Sequence, residues 1–96
     1  MDNDINSILQ IKTQAEIIKN TIPKNSIVLT DETHRFHYFL DMRTLRTTSN
    51  IKIMKEIKSK YKPNYAYTQN LDVLDKAGYS YKIKFKYNNK FLLEIT

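Results

Sequence analysis

Lys82, Lys84 and Lys86 recur at every second residue of the stretch Tyr-Lys-Ile-Lys-Phe-Lys-Tyr. On a strand this spacing projects three ammonium groups from one face, about 6.6–6.8 Å apart. That repeat is comparable with the phosphate spacing of an extended nucleic-acid strand, and such a row grips a backbone without reading bases. Lysines on the wet face of a strand also discourage edge-to-edge pairing, which is the competing structural use of the same residues. Lys52, Lys55, Lys60 and Lys62 form a second cationic set upstream. Tyr65 and Tyr67 follow directly after them, and aromatic rings interleaved with lysines can stack exposed bases while the cations hold phosphates.

A different chemistry is written in Asp31-Glu-Thr-His34-Arg-Phe-His37-Tyr-Phe-Leu-Asp41. On a helix, His34, His37 and Asp41 align at i, i+3 and i+7, a workable facial set for a divalent metal. On a strand, His34 and His37 point to opposite faces and the set dissolves. The strand reading is the one preferred, so no metal site and no cofactor is expected. The two histidines could also act as general acid and base on a phosphodiester, with Arg35 or Arg43 stabilising the developing charge. That is the chemistry of a small endoribonuclease.

Composition removes several other mechanisms. Cys 0 excludes disulfides and thiolate metal sites, and Gly 1 excludes any glycine-rich phosphate loop. No serine stands in a nucleophile elbow. The charge is unevenly placed. Residues 1–50 carry six basic and six acidic groups, whereas residues 51–90 carry ten lysines against Glu56, Asp72 and Asp75. Such asymmetry points to a polyanionic partner. Lysine outnumbers arginine 13 to 3, a coding bias expected of an AT-rich genome such as that of a phage or mobile element. No apolar run approaches the roughly 18 residues of a membrane span. Residues 1–20 hold no secretory apolar region, and the chain reads as cytoplasmic with no membrane partner.

The elements that must position these groups follow from periodicity. Isoleucines at three- and four-residue spacings predict a helix over 4–22, with Asn3 or Asp4 at its start and Pro23 beyond its end. Ile27 to Thr30 reads as a strand. Residues 34–42 are ambiguous, and their aromatic content favours a second strand pairing with the first. Residues 43–50 read as a polar connection. Ser49 or Asn50 caps a helix over 51–61, in which Lys52–Glu56 and Glu56–Lys60 stand as i,i+4 pairs. Tyr65 to Tyr67 is strand-like, and Asn70 caps a short helix closed by Gly78 at a position that favours positive φ. Tyr79 to Tyr87 and Phe91 to Ile95 alternate as the arms of a β-hairpin turning at Asn88-Asn89.

The fold expected is a single α+β domain over 1–96: a small antiparallel sheet of four or five strands, two or three helices on one face, and a C-terminal β-hairpin. The alternative is a winged helix, with 31–45 and 50–61 as its helix-turn-helix. The function expected is non-catalytic binding to nucleic acid or a nucleoprotein surface. The residues assigned to it are Lys52, Lys55, Lys60, Lys62, Lys82, Lys84, Lys86, Tyr65 and Tyr67. The alternative is a protein–protein inhibitor or adaptor, for example a phage anti-defence protein, docking on an acidic patch of a nucleic-acid-handling enzyme. The endoribonuclease using His34 and His37 is the third reading.

Overall fold

The computed structural model describes the backbone of residues 2–32, 34–87 and 89–96, and the side chains of 8–32, 36–87 and 89–96. Among these residues the chain runs α1 (Asp2–Thr21), β1 (Ile27–Thr30), α2 (His34–Leu40), β2 (Arg43–Arg46), α3 (Ile51–Tyr61), β3 (Tyr65–Thr68), α4 (Leu71–Lys76), β4 (Tyr81–Tyr87) and β5 (Lys90–Ile95). The strands form one open sheet in the order β2-β1-β3-β5-β4. β1 pairs parallel with both β2 and β3, while β5 pairs antiparallel with β3 and β4. The fold is therefore α+β, but its sheet is mixed rather than antiparallel.

Residues 34–40 are helical, which corrects the strand expected there. Phe36 and Leu40, four apart, are both buried, whereas His37 and Tyr38 between them are exposed. Aromatic residues favour strands only when cross-strand packing rewards them. Here the pairing partner of β1 is instead Arg43–Arg46, read from the sequence as a loop. Parallel neighbours need a crossover, and α2 supplies it. Because 43–46 lies in the sheet, the helix-turn-helix of the winged-helix alternative does not form over 31–45.

Helices cover both faces of the sheet, not one. Val28, Tyr67 and Leu92 join Ala15 and Ile18 of α1, Ile22 just beyond it, and Phe36 and Leu40 of α2 in one core. Their strand neighbours Leu29, Ala66 and Leu93 join Met54 of α3 and Leu74 of α4 in the other. Period-two alternation sends adjacent residues to opposite faces, so the central strands are apolar on both sides. No helix among the described residues is long and apolar enough to cross a membrane.

Local signals decide the element ends. α1 stops at Thr21, ahead of Pro23; the side chains of Asn3 and Asp4 lie outside the described residues. Asn50 caps α3, its side chain accepting from the Ile53 amide at 3.2 Å, an interaction that stabilises a helix by about 1 kcal/mol. Lys62 takes the left-handed conformation, φ 49, and ends α3 before Pro63. Gly78, φ 82, closes α4 as expected, with Gly78 N–H donating to Asp75 O and Tyr79 N–H to Leu74 O, at 3.1 and 3.0 Å. These two bonds make a complete Schellman motif. Asn70 precedes α4 but makes no side-chain cap; its amide nitrogen reaches Asp31 Oδ2 at 3.4 Å instead.

Candidate functional site

β4 changes the meaning of the lysine row. Its register against β5 runs Tyr81–Ile95, Lys82–Glu94 and Ile83–Leu93, then skips to Phe85–Leu92, Lys86–Phe91 and Tyr87–Lys90. Lys84 is the extra residue of a β-bulge, and a one-residue insertion moves every later side chain to the opposite face. Lys82 therefore shares the side of Glu94 and Leu92, whereas Lys86 shares the side of Phe91 and Leu93. The Lys86 ammonium lies 5.5 Å from the centre of the Phe91 ring. Lys84 pairs with Glu94 at 3.0 Å, and that hydrogen bond with the Glu94 charge holds its pKa above the ordinary lysine value. The three ammonium groups do not form one face. Asn88, in the connection between β4 and β5, lies outside the described residues.

Neither tyrosine assigned to stacking presents an open ring. Tyr67 is fully buried, stacks on Phe36 with centroids 5.4 Å apart, and donates its hydroxyl proton to Gln14 Oε1 of α1. Tyr65 is half-buried and packs against the same core. Both sit on the central strand β3, where alternate residues must fill one core or the other, and burial answers for each of them.

The α3 set survives folding intact. Met54 points into the sheet core, with Ile51 and Ile57 packed beside it. At 100° per residue this leaves Lys52, Lys55, Glu56, Ser59 and Lys60 on the outer side, and those five line an open groove of about 550 Å³. Lys62 follows at the helix end, exposed like the others. Among the described residues the ion pairs are Lys84–Glu94, Lys90–Asp31 and Lys90–Glu32. The Lys52–Glu56 and Glu56–Lys60 pairs expected along α3 are absent from that set, which leaves the α3 lysines available for an external anion. Lys58 is different, donating to Gly78 O at 2.6 Å and tying α3 to the end of α4.

Folding adds two cations and a ring that the sequence did not single out together. The Arg43 guanidinium at the start of β2 lies 5.5 Å from the centre of the Tyr61 ring at the end of α3. The Lys60 ammonium lies 5.7 Å from the same ring. α3 runs from the C-terminal end of β2 back to the N-terminal end of β3, so its last turn returns to where β2 began. The 18-residue gap between Arg43 and Tyr61 hides this proximity from any local pattern.

The histidine chemistry is not assembled by the described residues. His37 is exposed on α2 and its Nδ1 hydrogen-bonds Thr44 Oγ1 at 2.8 Å. The side chains of His34 and Arg35 lie outside the described residues. Asp41, expected one helical turn beyond His37, follows the end of α2 in a left-handed conformation with φ 55. Among the described residues no group of three His, Cys, Asp or Glu gathers to hold a metal ion.

A separate polar network closes the sheet where β1 and β3 end. Lys90 reaches Asp31 at 2.9 Å and Glu32 at 3.0 Å, and Thr68 Oγ1 donates to Asp31 Oδ2 at 3.3 Å. Burial pulls the Lys90 pKa down, but its hydrogen bonds to Asp31 and Glu32 and their charges outweigh it, and the net shift is upward. Burial first, then the Glu32 charge, pushes the Tyr67 hydroxyl well above the ordinary tyrosine value. Burial pushes Tyr79 up from 10.0 to about 12. All three groups hold their protons more tightly folded than unfolded, so their contribution is complete below about pH 10 and is lost as pH rises through the folded values. The urea midpoint is expected to hold from pH 8 to pH 10 and to fall steadily toward pH 12, less steeply in Tyr79→Phe. A midpoint constant across that range would contradict this account.

No protein-family model matches the chain, and no curated protein or solved structure is significantly similar to it.

Proposed function

We propose that the chain is a non-catalytic nucleic-acid-binding protein that grips the phosphate backbone on the outer face of α3. The observation that carries this reading is the state of Lys52, Lys55 and Lys60 on one anchored helix and of Lys62 just past its end: all four are exposed and in none of the ion pairs among the described residues. An ammonium already neutralised by a carboxylate releases no counterion from a polyanion, and a free one does. A helix pinned by Met54 already holds the backbone of its lysines, so binding has only their side chains left to order. Lys82, Lys84 and Lys86 sit on the edge strand β4, where the bulge divides Lys82 from Lys86 between its two faces. They add to the general positive field rather than to the α3 face.

Lysines confer affinity and salt dependence but not base readout. The test is therefore a salt titration of the intact chain with labelled single- and double-stranded RNA and DNA. The expected result is binding at low salt whose log–log salt slope corresponds to several released counterions. No retention of any polynucleotide at low salt would overturn the reading. Ile53, 45% exposed beside these lysines, would then direct attention to a protein partner with an acidic and apolar surface.

A further inference from the structure

The α3 lysines do not account for an open cleft of about 610 Å³ at the N-terminal ends of β1 and β2. Its volume falls within the range of small-molecule sites. Lys24 enters it from the turn before β1, Arg43 from the first residue of β2, and His37, Tyr38 and Asp41 from the end of α2. Their chemistry is mixed in a specific way. Lys24 and Arg43 are exposed cations suited to a phosphate. His37 spends Nδ1 on Thr44, which leaves Nε2 as its second polar atom. Tyr38 is 78% exposed although large and aromatic, held in an edge-on arrangement against Phe39 with ring centroids 5.4 Å apart. A site for a bare anion has no use for an open aromatic ring or for the Asp41 carboxylate. A nucleotide uses all of them: the base stacks on the ring, its exocyclic amine donates to the carboxylate, and its phosphate meets the cations.

The cleft also continues into the α3 face. Arg43 lines it and at the same time sits over Tyr61, whose ring is shared with Lys60. Cations thus follow one another from Lys24 through Arg43 to Lys60 and along α3. We propose that the cleft seats one nucleotide of a single-stranded nucleic acid, its base on Tyr38 and its phosphate toward Lys24 and Arg43, while the neighbouring backbone lies on α3. This rests on the polyanion reading and sharpens it, because a paired base in a duplex cannot leave its stack to reach Tyr38 without cost.

The experiment compares fluorescence anisotropy of a labelled short oligodeoxycytidine and a duplex of equal length, using the intact chain and two variants. Tyr38→Ala is expected to weaken single-strand binding about tenfold and to leave duplex binding unchanged. Lys24→Ala is expected to lower the single-strand salt slope by about 0.7. Both side chains are exposed, so thermal unfolding should not move. If both variants bind the single strand like the parent while removal of the α3 lysines weakens both ligands, the cleft proposal is overturned and the α3 reading stands. If the parent binds neither ligand, both fall.

Discussion

Replacing Lys52, Lys55, Lys60 and Lys62 together by alanine is expected to remove about three to four units from the salt slope of polynucleotide binding. The magnitude follows from counterion release, about 0.9 per phosphate contact on duplex and 0.7 on single strands. Across a fourfold change in salt, four such contacts carry a roughly hundredfold change in affinity that the variant would lack. The loss should be nearly equal on different base sequences, because these side chains meet phosphates rather than base edges. Stability should hardly fall, since all four residues are exposed, alanine is the best helix former at 52, 55 and 60, and Lys62 and its replacement share the same left-handed backbone past the helix end. The matched control is Lys82→Ala with Lys86→Ala. The bulge at Lys84 puts those two on opposite faces of β4, so a single docked strand cannot engage both. A slope that changes more in the control than in the α3 variant would move the site off the helix.

What could be read ahead of the structure divides along physical lines. α1, α3 and α4 carried their own punctuation in Pro23, Asn50, Pro63 and Gly78, and signals this local survive any tertiary context. Residues 34–46 carried none. α2 has seven residues, and over two turns the burial of Phe36 and Leu40 is matched almost as well by strand alternation. β2 offers the lone apolar residue Leu45 among Arg43, Thr44 and Arg46, so nothing marked it as a strand. That one misreading propagated: with 34–42 as a hairpin arm, the sheet had to be antiparallel and covered on one side. The bulge was hidden for the opposite reason. Alternation from Tyr79 to Tyr87 is unbroken, and only pairing with β5 shows that Lys84 is supernumerary. The outer lysines of α3 were legible because helical periodicity places them. The Arg43–Tyr61 contact and the Lys90 bridge to Asp31 were not, being 18 and 59 residues apart in the chain.

Phe36→Ala is expected to be the most destabilising single change among those considered, costing about 3–5 kcal/mol. Its ring is fully buried and lies nearly parallel to that of Tyr67, at 14°, with centroids 5.4 Å apart. Tyr67 in turn donates to Gln14. The stacked pair thus ties α2 to β3, and through Gln14 to α1, beside the packing of Leu40 in the same core. Removal leaves a cavity in the core formed by α1, α2 and the sheet, and Leu40 becomes the fully buried anchor of a seven-residue helix too short to persist unaided. Against a total of roughly 5–15 kcal/mol for a domain of this kind, the loss is a large fraction, and Tm should drop by at least about 12 °C. The consequence for binding separates the two parts of the interface. α2 carries His37 and Tyr38 into the cleft, while α3 packs on the other face of the sheet against Leu29 and Ala66. Below its lowered Tm, the variant should therefore lose the preference for single strands that Tyr38 confers and retain the salt slope of α3. A Tm within a few degrees of the parent would show that the Phe36–Tyr67 stack does not pin α2. Loss of the α3 salt slope at a temperature where the variant is folded would show that the two faces of the sheet are not energetically separate.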